Sequence, residues 1–168
     1  MGDRSFEKIN DSDLTKLCEI AIKDSENFVS RYPRYKARIV GIALCQGAAL
    51  HYIDGRNGVK DFDVWTFYDK NTAAAIFPPR RHGTCDFGPS KFGRRLEDAG
   101  FTGRRVDLFG RSIDQFSDPV SSIQTYLGNA RTPAAFNLSQ KAAVLLYPGN
   151  LRGRVIWPVR GQGPSTGD

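Results

Sequence analysis

Two apolar runs joined by a glycine-rich connection most constrain how this chain can fold. The first run ends at Cys45, and the second follows the turn sequence DGRNG and ends at Tyr68. Between them, Gly47 and Ala48 open a short apolar segment. A near-continuous apolar run bounded by turn residues is typical of a strand that is covered on both faces. The stretch therefore predicts a strand, a sharp turn into a short helix, a loop and a second strand.

The second run carries two carboxylates, Asp61 and Asp63, at alternate positions. In a strand this spacing places both on one face, with Phe62 and Val64 on the other. Adjacent carboxylates repel each other unless a cation lies between them, and carboxylate oxygens suit hard divalent ions. The pair predicts a site for Mg²⁺, or for Mn²⁺, while a solvent-exposed strand edge remains the alternative.

The remaining elements can be placed by periodicity and by turn residues. A capped amphipathic helix carries Leu14, Leu17, Cys18 and Ala21 and ends before Pro33. The further expectations are strands at 37–45, 59–68, 103–111 and 155–157, helices at 48–53, 69–77, 118–128 and 132–146, and a loop at 80–95. Together they predict the α/β (α+β) class, with a small mixed sheet flanked by helices. We expect one domain over residues 1–160 and a disordered tail at 161–168.

Composition indicates the chemical class of the binding partner and the cellular compartment. The 168 residues carry a net charge of +6, which favours an anionic partner such as a nucleoside triphosphate or a nucleic acid. The three cysteines are widely spaced, which argues against a disulfide framework and favours the reducing cytoplasm. No apolar run is long enough to predict a membrane span.

A third carboxylate, further along the chain, is also flanked by apolar residues. Asp107 lies between Val106 and Leu108, as Asp63 lies between Phe62 and Val64. Three carboxylates on one sheet face can hold two divalent ions, the arrangement that supports in-line displacement at phosphorus.

The predicted loop at 80–95 is rich in basic residues. Lys91, Arg94 and their neighbours Arg80, Arg81 and Arg95 are candidates for holding phosphates, as is Arg104 with Arg105 further along. Phe87 and Phe92 are interleaved with them and suit base stacking. The alternative interpretation is a solvated surface loop.

These features resemble the nucleotidyltransferase superfamily, the group with the DNA polymerase beta type of fold. The matching pieces are the glycine turn in CQGAAL, the Asp-x-Asp strand in KDFDVW and the third aspartate in RRVDLF. The resemblance implies a nucleotidyltransferase-like core and transfer of a nucleoside monophosphate from a triphosphate such as ATP to a hydroxyl group.

The resemblance also implies roles for particular residues. Asp61 and Asp63 would bind the metal on the triphosphate, and Asp107 would complete a second metal site and help to deprotonate the acceptor. Gly47 would let the backbone approach the phosphates. Ala48 stands where the family often has a serine, so only backbone N–H groups are left to donate at that position.

The small size resembles the minimal, stand-alone bacterial type of the superfamily. Some of those proteins belong to toxin–antitoxin systems that modify tRNA or a partner protein. The acceptor is thus expected to be tRNA, another RNA, a protein or a small molecule. Two other functions remain open: a nucleotide- or RNA-binding module of the same fold, and a metal-dependent phosphoesterase.

Overall fold

The computed structural model describes residues 6–33, 39–70, 81–115, 118–129 and 131–159. Within these ranges the chain forms a six-stranded mixed sheet and four α-helices, so the predicted α+β class is confirmed. The helices are α1 (Asp11–Arg31), α2 (Gln46–Asp54), α3 (Pro119–Asn129) and α4 (Pro133–Ser139). The strands are β1 (Ile39–Cys45), β2 (Phe62–Asp69), β3 (Arg81–Asp86), β4 (Arg105–Ile113), β5 (Ala143–Tyr147) and β6 (Val155–Trp157).

The strand order in the sheet is β3-β4-β2-β1-β5-β6. In this described sheet β2 and β4 are parallel, and the other neighbouring strands are antiparallel. The parallel register sets Asp63 beside Asp107. The two predicted carboxylate strands are therefore direct neighbours.

Helix α1 covers one face of the sheet. Asn10 begins the helix by accepting a hydrogen bond from the backbone N–H of Asp13 at 2.9 Å, and Asp13 accepts one in return from the N–H of Asn10. This reciprocal cap satisfies N–H groups that a helix start leaves unpaired. Its apolar residues Leu14 and Leu17 are fully buried against the sheet, as predicted.

Helices α3 and α4 lie on the other face. Ile123 and Leu127 of α3 pack with Trp65 and Phe67 of β2, and Leu138 of α4 belongs to the same core. Strand β1 lies between two strands and has cores on both of its faces, which accounts for its unbroken apolar sequence.

The predicted helix at 132–146 is wrong over its second half. Thr132 caps the helix, with its Oγ1 accepting from the N–H of Ala135 at 3.2 Å, but α4 ends at Ser139. Residues Ala143–Tyr147 form β5, which pairs with β1 and β6. A short run that is apolar on every side fits a buried helix and a buried strand equally well by periodicity, and here the open edge of β1 selects the strand.

The predicted loop at 80–95 is wrong at its start. Arg81–Asp86 forms the edge strand β3, which pairs with β4. Its apolar alternation is weak because Gly83 has no side chain and His82 and Thr84 are exposed. Phe87 and Phe92 are buried 4.9 and 5.5 Å from the ring of Phe62, so their predicted role in base stacking is also wrong.

Several expectations fall outside the described residues. These are the tail at 161–168, residue Arg80 and most of the helix predicted at 69–77, although Asp69 itself ends β2. Among the described helices, none combines the length and the apolar character needed to cross a membrane.

Candidate metal and phosphate site

The pairing of β2 with β4 brings three carboxylates together. Asp63 and Asp107 are partners across the two strands, and Asp61 immediately precedes β2 on the same face. One carboxylate oxygen from each residue can be chosen so that all three lie within 4.8 Å of one another. The structure thus brings together the three predicted metal ligands.

The cluster is electrostatically strained around Asp63. Burial, the negative charges of Asp61 and Asp107, and a hydrogen bond with Asp107 raise the pKa of Asp63 to about 7. Arg105 opposes this shift but does not cancel it. Burial contributes most to this shift, and the two neighbouring carboxylates add to it. A cation bound beside Asp63 would favour its ionised form instead.

Arg105 contacts two carboxylates of this cluster. Its Nη2 lies 3.1 Å from Asp61 Oδ2 and its Nε lies 3.3 Å from Asp107 Oδ1. Its Nη1 also approaches the buried Asp98 at 3.8 Å. These carboxylates, Asp107 first, raise the pKa of Arg105. One guanidinium therefore contacts three carboxylates, two of which belong to the cluster.

A row of stacked rings extends from Asp107 across the same face. His82 Nε2 lies 3.4 Å from Asp107 Oδ1, and the His82 ring stacks on Phe109 with centroids 4.6 Å apart. Phe109 stacks in turn on Trp65, also at 4.6 Å. The imidazole is half exposed whereas Asp107 is buried, so His82 forms the solvent side of the cluster.

A cavity of about 730 Å³ adjoins Asp61 and Asp63. Its wall includes Gln46, Gly47 and Ala48 at the start of α2, together with four basic side chains. Those basic residues are Lys60, Arg95, Arg104 and Lys141. A volume of this size is typical of a pocket for a nucleotide-sized ligand.

The start of α2 is arranged to leave backbone donors free. Cys45 occupies the N-cap position but makes no side-chain capping bond. Gln46 adopts a left-handed φ of 60°, a strained value for a residue with a side chain, and this turns β1 directly into the helix. The first N–H groups of a helix attract anions, so Gly47 and Ala48 present donors to the cavity.

Arg104 supplies a second, independent sign of an anion site. Its Nε is buried, yet it has no hydrogen-bond partner among the described residues. A buried donor without an acceptor is costly, and a phosphate oxygen in the adjoining cavity would satisfy it.

The remaining predicted phosphate contacts lie apart from this cavity. Lys91 pairs with Asp13 of α1 at 3.2 Å and lies over the Phe92 ring at 5.2 Å, and Arg94 is exposed to solvent. Neither belongs to the described wall of the cavity. Gly47, Ala48 and Arg104 do belong to it, as does Lys141, which the sequence marks by interrupting an apolar run.

Sequence reasoning missed His82 and Asp98 and assigned Arg105 a different contact. His82 was hidden because β3 lacks a clear strand period, and Asp98 lies in a turn before β4. Arg105 was expected to contact phosphates, but in this structure it pairs with carboxylates. Arg105 and Asp107 are two positions apart in the sequence, which places both on one face of β4. This spacing is the sequence signal for the ion pair between them.

Comparisons with protein-family models, with curated proteins and with solved structures returned no match.

Proposed function

We propose that this chain is a magnesium-dependent nucleotidyltransferase that moves a nucleoside monophosphate from a triphosphate to a hydroxyl acceptor. The observation that carries the proposal is the position of the three-carboxylate cluster beside a basic cavity at the start of α2. Cation ligands and anion donors that share one cavity suit a metal-bound polyphosphate better than either ligand alone.

The polyphosphate is bound by the basic wall of the cavity. The N–H groups of Gly47 and Ala48 donate to it, and Arg104 Nε gains the acceptor that it lacks. Lys60 and Lys141 add positive charge from loops on either side. Arginine and lysine contacts of this kind fix the orientation of phosphates as well as their affinity.

The donor set fits magnesium. Asp61, Asp63 and Asp107 are hard oxygen ligands that outnumber the one guanidinium in contact with them, and burial together with the neighbouring carboxylates raises the pKa of Asp63. Magnesium bound there would neutralise charge on the phosphates and lower the pKa of the acceptor hydroxyl.

The transfer step forms one bond to phosphorus, breaks another and moves one proton. The acceptor oxygen bonds to the α-phosphorus, the bond from that phosphorus to the bridging oxygen breaks, and pyrophosphate leaves. Asp107 accepts the hydroxyl proton. His82, whose Nε2 lies 3.4 Å from Asp107 Oδ1, holds that carboxylate in position and passes the proton to solvent.

A labelled-substrate assay tests the proposal. Purified protein with magnesium and α-labelled triphosphates should bind nucleotide and transfer label, and Asp61→Asn or Asp63→Asn should abolish transfer. The matched control is Glu26→Gln, which removes one exposed carboxylate from the C-terminal half of α1. Absence of triphosphate binding in both magnesium and manganese would refute the enzyme, and cleavage of RNA without triphosphate would identify a phosphoesterase instead.

Arg105 favours a second candidate, a nucleotide- or RNA-binding module without catalysis. Its guanidinium already contacts Asp61 and Asp107, where a metal ion would need their oxygens. In that case binding of RNA would depend steeply on salt and would be unchanged by Asp63→Asn. Magnesium-dependent affinity that is lost in Asp63→Asn supports the enzyme.

We propose that the reaction takes place in the cytoplasm, with tRNA, another RNA, a protein or a small molecule as the acceptor. Cys18, Cys45 and Cys85 are all free thiols, and burial raises the pKa of Cys85 to about 11, which keeps it protonated. Such inert thiols suit a reducing compartment. Identifying the labelled product after incubation with cell extract would test the choice of acceptor.

A further inference from the structure

A second, smaller cavity lies at the opposite end of the β2/β4 pair from the carboxylates. Its volume is about 240 Å³, and its wall includes Lys70 and Arg111 through Asp114. The backbone N–H of Lys70 donates to Ile113 O at 2.9 Å, which ties the two strands together at this end. Carboxyl ends of parallel strands are a common location for ligands in sheets with helices on both faces.

The wall of this cavity carries excess positive charge. Among the described wall residues, Lys70, Arg111 and Arg131 face one carboxylate, that of Asp114. Lys70 lies 4.0 Å from Asp114, and both side chains are more than half exposed, so this pair is weak. No ion pair of Arg111 or Arg131 is found in the described part of the chain. Their charges are available to an anion.

Tyr126 gives an independent indication. Its hydroxyl is buried and has no hydrogen-bond partner among the described residues, and the residue lines the cavity. The ring is held by Phe67 at 5.7 Å and lies near the Arg111 guanidinium at 5.8 Å. Leaving a hydroxyl buried and unpaired is unfavourable, and an acceptor in the cavity would relieve that cost.

We propose that this cavity binds a phosphate group. Two arginines, a lysine and a tyrosine hydroxyl all donate hydrogen bonds, and phosphate oxygens accept several at once. The volume lies below the usual range for whole nucleotides, so it fits one phosphate with at most its sugar. Thr125 and Asn129 also contribute polar side chains to the wall.

This phosphate site is separate from the triphosphate cavity. The two share none of their described wall residues. Arg111 follows Asp107 on the same face of β4, roughly 13 Å along the strand at about 3.3 Å per residue. Phosphate binding in this cavity therefore does not depend on whether the chain transfers nucleotides.

Calorimetric titration with inorganic phosphate, without magnesium, tests the site. We expect binding by the wild-type protein and a loss of about tenfold or more in affinity for Arg131→Gln and for Arg111→Gln. Arg131 is exposed, so its variant should fold normally. Arg154→Gln, an exposed arginine beside β6, is the matched control and should bind like wild type. Lys141→Gln removes a basic side chain from the wall of the other cavity and so tests whether the phosphate binds there instead.

Tyr126→Phe separates binding from structure. The ring packing is kept and only the unpaired hydroxyl is removed. Thermal stability without ligand should therefore stay equal or rise, while phosphate affinity falls several-fold. A fall in stability with unchanged phosphate affinity would instead assign the hydroxyl a structural role and count against the site.

Competition distinguishes the source of the phosphate. Displacement of inorganic phosphate by a short single-stranded oligonucleotide would identify a nucleic-acid backbone, and displacement by a nucleoside monophosphate alone would identify a free nucleotide. Either result supports the site. It is overturned when phosphate does not bind, or when Lys141→Gln abolishes binding and Arg131→Gln does not.

Discussion

The two ends of the β2/β4 pair carry opposite charges. At the amino end, Asp61, Asp63 and Asp107 come from the strands or the residue beside them, and their positions are fixed by strand register. At the carboxyl end, Lys70, Arg111 and Arg131 reach the cavity with long side chains, and Arg131 comes from a loop. We call these the acidic end and the basic end.

The difference shows that the length of the side chains at each end suits the size of the ligand proposed there. Short carboxylates on paired strands have little freedom, which fits a small cation that requires ligands at fixed distances. Long basic side chains tolerate variation in position, which fits a larger anion. A shift of one residue in the register of β2 would turn Asp63 to the other face, whereas the basic end would adapt.

Removing one carboxylate should weaken ligand binding at the acidic end and leave the basic end unchanged. Asp107→Asn should lower magnesium affinity by at least about 100-fold, because loss of even an outer-shell partner typically costs 10 to 100-fold. Phosphate binding at the basic end should be unchanged. Calorimetry with each ligand measures both values, and parallel losses would show that the variant is misfolded rather than locally altered.

The acidic end should also respond to pH. Asp63 has a native pKa of about 7 instead of 3.8, so the native state binds the extra proton and magnesium must displace it. Magnesium affinity should rise by up to tenfold per unit as pH rises toward about 7 and level off above it.

The same shift affects stability without metal. Because the native pKa is raised, the free energy of unfolding should fall as pH rises from about 4 to 7, by about 1–2 kcal/mol after allowance for solvent screening. Asp63→Asn should remove this dependence and be more stable than wild type above pH ~7. Thermal melts across pH with and without magnesium check both signs.

Arg105→Gln should shift the balance at the acidic end in favour of cations. Magnesium affinity should increase about fivefold at pH ~8.5, where Asp63 is ionised, because a competing positive charge has been removed. Without metal the variant should be less stable, and magnesium should restore its melting temperature. Weaker magnesium binding at that pH would show that Arg105 supports the metal site instead of competing with it.

Gly47→Ala tests the approach of phosphates to α2. Gly47 is exposed, and a Cβ there would meet no atom within 4 Å, so the fold should be unaffected. If phosphates lie against the backbone, triphosphate affinity should fall about threefold to tenfold with an unchanged melting temperature. Unaltered affinity would place the triphosphate elsewhere in the cavity.

Lys91→Gln should have the smallest effect. The side chain already pairs with Asp13, on the α1 side of the sheet, so triphosphate affinity should change less than twofold. Arg104→Gln is the matched comparison at the cavity wall and should weaken binding about tenfold. Equal losses of triphosphate affinity in the two variants would show that the loop around Lys91 contributes to the nucleotide site.

The sequence predicted the acidic end better than the basic end for a physical reason. Asp61, Asp63 and Asp107 alternate with apolar residues, so the local sequence pattern predicts which face of the sheet carries them. Tyr126 reaches Lys70 and Arg111 only through the packing of α3 on the sheet, which no local pattern encodes. His82 and Asp98 were missed on the same grounds.

The errors in the fold have a similar origin. Ala143–Tyr147 becomes a strand because β1 offers it a partner, and Arg81–Asp86 becomes an edge strand because β4 does. Helix α1 was predicted well because its cap and its apolar spacing are local. Pairing across long separations overrides such local preference.

The stacked row of His82, Phe109 and Trp65 gives the protein a built-in optical reporter. The Trp65 indole is joined through two ring contacts to the imidazole beside Asp107. The second tryptophan, Trp157, is at the far edge of the sheet, where its Nε1 donates to Ser139 O. In a Trp157→Phe variant, the remaining emission should therefore follow events at the acidic end without any attached dye.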